Sequence, residues 1–190
     1  MLKKTAFAIL LVVATCVISC AQQDESKRPS PAAQAQCRFS DGKTITVDYS
    51  SPRMRGRKIF GGLVPYGEVW RTGANEATTF ATNENLNTVK GTNMPAGSYT
   101  IFTVPDPDKW TLIINKHTGE SGTPYKYESE ELARVPMSVA KLPSAVENFT
   151  ISFDHNGGSC MMRMSWENTQ ASIEFTEMNT DVPVTPANLK

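Results

Sequence analysis

Between Ser51 and Thr79 the chain reads SPRMRGRKIFGGLVPYGEVWRTGANEATT, and residue types able to do chemistry crowd together there. Arg53, Arg55, Arg57 and Lys58 fall within six residues. Glycines at 56, 61, 62, 67 and 73 follow or interrupt them, and then comes Trp70-Arg71-Thr72-Gly73-Ala74-Asn75-Glu76. A guanidinium, an amide and a carboxylate beside an aromatic ring supply directed donors and acceptors, as a sugar or a carboxylated peptide demands. The expectation is that Trp70, Arg71, Asn75 and Glu76 face an open pocket, with Arg53, Arg55 and Arg57 near its rim. If the basic run is a strand, the three arginines share one face, because Met54 and Gly56 alternate with them. A structural reading stands beside this one. Arg71 paired with Glu76 would pin a long loop, Trp70 would belong to the core, and the basic run would be a solvated strand face.

Catalysis leaves no trace in the motifs. The chain has no G-x-S-x-G elbow, P-loop, G-x-G-x-x-G, C-x-x-C or H-E-x-x-H pattern, so no catalytic residue is assigned. A carboxylate-dependent hydrolase would have to draw on Glu68 and Glu76 or Asp48, provided they converge within the separation that glycoside hydrolysis requires. The two histidines, His117 and His155, lie in turn-like contexts without partners at metal-ligand spacing and read as solvent-facing, so no metal and no cofactor are expected. Nineteen basic residues balance nineteen acidic ones, which removes the basic footprint that nucleic-acid binding needs.

The elements that must position these groups are short strands. In Thr44–Tyr49, Ile45, Val47 and Tyr49 alternate with polar residues. Ser98–Val104 and Trp110–Ile114 are β-branched and aromatic runs, each preceded by a turn signal. Thr78–Thr82 and Leu86–Val89 are shorter candidates. Val135, Met137 and Val139 alternate, and Pro136 between them suggests an edge strand. Phe149, Ile151 and Phe153 lead into His155-Asn156-Gly157-Gly158, a hairpin signal expected to turn at Asn156-Gly157. The returning strand places Cys160, Met162, Met164 and Trp166 on one face, and Ile173 with Phe175 begins another. Only Ser129–Arg134 suggests a turn or two of helix. Many short strands with turns between them predict an all-β domain, a β-sandwich or jelly roll.

The N-terminus reads as a targeting segment. Lys3 and Lys4 precede an apolar stretch, Thr5–Ile18, that is too short to span a bilayer. It ends in Val17-Ile18-Ser19-Cys20, which resembles a bacterial lipobox, so residues 1–19 are expected to be cleaved and Cys20 to become the acylated mature terminus. Its acyl chains, palmitate among them, make a stable anchor, which a single chain does not. Residues 20–36 carry no large apolar side chain and read as a flexible tether; 37–178 form the folded domain; 179–190, with two prolines, form a loose tail. A lipoprotein of the bacterial cell envelope follows, held in a membrane. The lack of Asp at position 21 points to the outer one, with the periplasmic or surface face left open. Two cysteines remain in the exported domain, Cys37 and Cys160, either as one disulfide or as two buried thiols.

The run Ser51–Thr79, the stretch Pro95–Pro105 (PAGSYTIFTVP), the strand Trp110–Asn115 and the pair Trp166-Glu167 together resemble the bacterial domain-of-unknown-function family 2911. Tyr66-Gly67-Glu68-Val69-Trp70-Arg71-Thr72-Gly73-Ala74-Asn75-Glu76 is the specific part, and the likeness covers about Cys37 to Phe175. The resemblance implies an exported bacterial protein, often a lipoprotein, and no activity. Two functions are carried forward: a tethered binding module for a glycan, a peptide or an envelope protein, and a carboxylate-dependent hydrolase acting on an envelope polysaccharide.

Overall fold

In the computed structural model, residues 28–88 and 91–178 are described; the signal segment, residues 20–27 of the tether with Cys20, Val89, Lys90 and the tail lie outside them. Nine strands follow in chain order: β1 (Ala32–Arg38), β2 (Thr44–Ser50), β3 (Thr78–Thr82), β4 (Leu86–Thr88), β5 (Asn93–Met94), β6 (Gly97–Val104), β7 (Trp110–Asn115), β8 (Glu131–Asn156) and β9 (Ser159–Glu177). They pair antiparallel in the order β1-β2-β3-β6-β7-β8-β9-β4-β5. The domain is all-β and sandwich-like, as its alternation predicts.

The long strand β8 turns one sheet into two layers. Its first residues, Glu131 to Met137, pair with β7; from Ser138 onward it pairs with β9. Strand β9 in turn passes to β4 at Phe175–Glu177. Pro136 sits where β8 changes partner. It lies opposite Thr111 of β7, and pairing with β9 starts only at Ser138, so its missing N–H costs no ladder bond on that side. The strand is therefore interior, not an edge; only this stretch of it is one-sided.

Ile45, Val47, Phe80, Ile101, Leu112, Ile114, Ile151, Met162, Met164 and Trp166 line the shared interior, each at 3% exposure or less. Phe102 and Ile113 are equally buried yet pair on the opposite face, where Tyr125 packs on Phe102 at 4.6 Å between ring centroids. The segment between β7 and β8 thus covers the outer face of β6 and β7. That is why these two strands read as continuous apolar runs.

Several boundaries differ from the sequence expectation. Residues 32–36, assigned to the tether, belong to β1: backbone pairing from Ala32 opposite Ser50 to Arg38 opposite Thr44 needs no large side chain. The β8–β9 turn is Gly157-Gly158, one residue later than expected, because Asn156 pairs with Ser159 and Gly157 takes φ +60°. Ile173 and Phe175 continue β9 rather than opening a new strand. Between Trp166 and Ala171 the inward-facing parity flips at a bulge centred on Glu167 (φ +53°), so a strict period of two is lost there. The expected helical turn shrinks to a 3-10 turn, Glu128–Glu130, and Glu131 already opens β8.

Cys37 and Cys160 form a disulfide with Cα atoms 6.2 Å apart. It fastens β1 to β9 beside the hairpin tip, where Ser40 Oγ also donates to the carbonyl of Gly157.

Candidate functional site

Residues 51–77 join β2 to β3, a length at which an ordered loop is usually functional. Buried side chains and strand-like bonds hold this one in place. Ile59, Phe60 and Val64 enter the core at 0–5% exposure. Met54 N–H donates to the Glu147 carbonyl, Gly67 N–H to Pro105, and Trp70 exchanges both backbone bonds with Thr103 of β6. Trp70 then meets Trp166 nearly parallel at 5.9 Å and Phe149 edge-on at 4.9 Å, while Phe60 meets Trp110 at 4.9 Å. This aromatic cluster closes one end of the sandwich.

Beyond Trp70 the backbone is tightly wound. Thr72 and Asn75 take φ of +57° and +58°, a conformation a β-branched residue rarely adopts. Polar bonds offset it. Thr72 is fully buried with its hydroxyl on Thr103 Oγ1 (3.1 Å), and Thr78 Oγ1 donates to the Thr72 carbonyl at 2.8 Å. Trp70 Nε1 donates to the Gly73 carbonyl at 3.0 Å. Gly73 sits in a close approach: a Cβ would stand 3.0 Å from the Ser50 carbonyl oxygen and 3.1 Å from Thr78 Oγ1, so these neighbours would have to give by a few tenths of an ångström.

Beside this turn opens a pocket of about 420 Å³, within the size range of small-ligand sites. Trp70, Trp166, Val64, Leu63, Pro52 and Pro65 supply its apolar surface, and Arg57, Glu68, Arg71, Asn75, Ser30 and Thr123 its polar groups. Of the seven residues expected at a binding site, four line it: Arg57, Trp70, Arg71 and Asn75. Glu76, Arg53 and Arg55 are exposed and do not.

The two readings of Arg71 and Asn75 turn out to coexist. Arg71 Nη1 donates to the carbonyls of Asn75 and Ser121, the latter at 2.9 Å. Asn75 Nδ2 donates to the Ser30 carbonyl at 3.0 Å and to Ser50 Oγ at 3.1 Å. Both side chains therefore pin the loop while lining the pocket. No ion pair joins Arg71 to Glu76 among the described residues, so the clamp runs through backbone carbonyls. Nε and Nη2 of Arg71 make no bond among the described residues, which leaves that edge of the guanidinium for a ligand.

The basic run is not a strand. Arg53 makes a single bridge to Asn148, and the chain then turns through Arg55 and Gly56 at φ +50° and +68°. That turn breaks the alternation, so Arg53, Arg55 and Arg57 do not share a strand face. Arg57 folds back instead, donating from Nε to the Met54 carbonyl (3.0 Å) and from Nη2 to the Arg53 carbonyl (2.7 Å).

Of the carboxylates considered for hydrolysis, one stands at the pocket. Glu68 lines the pocket and Glu76 does not; Asp48 lies on β2, accepting from Gln34 Nε2 at 2.7 Å.

Other charged groups lie elsewhere. Asp41, Glu84 and Glu177 bring carboxylate oxygens within 4.8 Å of one another. Lys43 Nζ bonds Asp41 at 3.2 Å and also Glu84, so an ammonium already serves as their cation. The bonded carboxylates hold the Lys43 pKa above its ordinary value, with Glu84 the largest influence. Three distant segments meet there, so no local spacing signals the cluster. His155 is exposed, with Nε2 2.7 Å from the Gly157 carbonyl. His117 departs from the solvent-facing expectation: its ring stacks on Tyr127 at 3.7 Å, and Nδ1 lies 3.3 Å from Glu130. Among the site residues that sequence reasoning missed are Ser30, Thr123, Leu63 and Trp166. Ser30 and Thr123 carry no motif, and Trp166 read simply as core.

No curated protein matches this chain, and no solved structure matches it. The family model described as protein of unknown function (DUF2911) matches residues 30–175, a span that takes in every lining residue of the pocket and both disulfide cysteines, and the chain belongs to that family.

Proposed function

We propose that this protein is a binding module of the bacterial cell envelope, held to a membrane through an acylated Cys20, whose pocket takes a small polar ligand bearing a carboxylate, such as an acidic sugar or a peptide terminus. One observation carries the reading: Arg57, Arg71 and Asn75 converge with Trp70 and Trp166 on a single opening of about 420 Å³. Two guanidiniums favour an anion through paired, directed N–H donors, and the indoles offer a flat apolar surface for a ring or an aliphatic stem. Their positions are already fixed by bonds to backbone carbonyls, so little side-chain freedom is lost on binding. Hydrolysis is the weaker reading, since Glu68 stands in the pocket without Glu76 or Asp48.

Ligand-observed NMR tests the binding reading, with panels of uronic acids, neutral sugars and short peptides with free or amidated C-termini. Acidic members should show saturation transfer that Arg57→Ala reduces at least tenfold while the variant stays folded by circular dichroism. Equal signals for acidic and neutral members, or an indifferent Arg57→Ala, would refute it. For the anchor, metabolic labelling with an alkynyl fatty acid should mark the parent and spare Cys20→Ala, which should leave the membrane fraction or remain unprocessed.

A further inference from the structure

Among the described residues only two large hydrophobic side chains are exposed, Leu63 at 46% and Tyr66 at 41%, and they lie three residues apart. Looseness does not account for this. Ile59, Phe60 and Val64 on either side of Leu63 are buried, and Val64 N–H and Gly62 N–H both donate to the Ile59 carbonyl. Tyr66 lies over Gly61, where a Cβ would stand 2.6 Å from Tyr66 Cε2. The loop holds both side chains outward.

The same loop carries an uneven charge. Residues 51–77 hold five basic side chains and two acidic ones, in a chain whose charges sum to zero. Arg53, Arg55 and Lys58 are exposed and lie outside the pocket. Among the carboxylates near this loop are the exposed Glu68, Glu76 and Glu147, the last already accepting the Arg55 backbone N–H at 2.8 Å. The segment leading into β1 also passes here: Ser30 lines the pocket and is bonded by Asn75, and Pro31 accepts from Ser51 N–H. Ser30 lies ten positions after Cys20, so an anchor at Cys20 would keep this face within about 35 Å of the lipid surface.

We propose that this face, formed by Arg53, Arg55, Lys58, Leu63 and Tyr66, docks the domain on an anionic lipid bilayer. Basic side chains would sit at the headgroups, and the two apolar ones would enter the interface. The reach of the tether rests on the anchor reading; the charge and the exposed side chains do not. The test uses the full chain carrying Tyr66→Trp, mixed with vesicles containing brominated acyl chains, with the parent's fluorescence subtracted. Vesicles rich in phosphatidylglycerol should quench the added indole. Pure phosphatidylcholine vesicles should quench it at least threefold less. The charge reversals Arg55→Glu and Lys58→Glu together should abolish the difference, whereas Arg38→Glu, at the far end of β1, should leave it intact. Equal quenching by the two lipids, no quenching by either, or indifference to Arg55→Glu/Lys58→Glu would overturn the proposal. Because neither residue lines the pocket, that double variant should still bind an acidic ligand, so failure of docking and failure of the pocket reading are told apart.

Discussion

Arg71→Ala is the most informative single change, because it removes a clamp and a pocket wall at once. The guanidinium donates to the carbonyls of Asn75 and Ser121. Each is a charge-assisted bond, of a kind worth about 1.5–3 kcal/mol when buried. Arg71 is half-buried here, and Asn75 and Ser121 are exposed, so both released carbonyls find water and the lower end of that range applies. The expected loss is about 2–3 kcal/mol, which for a domain of this size lowers the melting temperature by about 5–10 °C. The loss should be local in origin, since the Trp70–Thr103 backbone pair and the Thr72 and Thr78 hydroxyl bonds do not involve the side chain. Differential scanning calorimetry at neutral pH measures it. Arg71→Lys should recover part, because an ammonium can reach a carbonyl but lacks the planar fork. A shift under 2 °C for Arg71→Ala would refute the clamp, and the side chain would then serve the pocket alone. Failure to fold would show that the loop is required by the whole sandwich, and the magnitude argued here would be wrong.

Three further outcomes follow from the same structure. Trp166 is 1% exposed, stacks on Trp70 and donates from Nε1 to the Glu147 carbonyl, so Trp166→Ala should cost about 3–5 kcal/mol, and a melt within 2 °C of the parent would contradict its place in the core. The Cys37–Cys160 bond spans 123 residues, so in the chain-entropy model its removal in the Cys37→Ser/Cys160→Ser double variant should cost up to about 5 kcal/mol, read as a lower urea midpoint. Arg134 donates twice to Glu131, at 2.7 and 2.8 Å, and with the Tyr125 hydroxyl holds that carboxyl below its ordinary 4.5. A depressed folded pKa stabilises above the ordinary value and loses that effect as pH falls through the folded one; the melting difference between the parent and Glu131→Gln should therefore be largest at neutral pH and shrink below pH 4.5, and a difference that grows in acid would reverse the assignment.

The sequence by itself determined the all-β class and most strands, because alternation records which side of a pleated strand faces the core. Ile45, Val47 and Tyr49 of β2, and Ile151, Met162, Met164 and Trp166 of the β8–β9 hairpin, are buried as their spacing demands. It also singled out the loop beside which the pocket opens, since glycines, an aromatic and hydrogen-bonding side chains within a few residues are a local signal. Three-dimensional pairing decided the rest. Alternation says nothing about partners, so Pro136 looked like an edge residue until β8 was seen to exchange β7 for β9 beside it. Nor does it survive a bulge, and Glu167 hid the continuity of β9. Backbone pairing with β2 draws Ala32 into the fold although no side chain there announces it. The pocket needed more than local sequence, because Ser30, Thr123 and Trp166 reach it from other segments. Arg53 and Arg55 left it for a related reason: a turn at positive φ cannot hold the alternation that a run of arginines suggests. Whether Cys37 meets Cys160, 123 residues away, is likewise a property of the folded sheet.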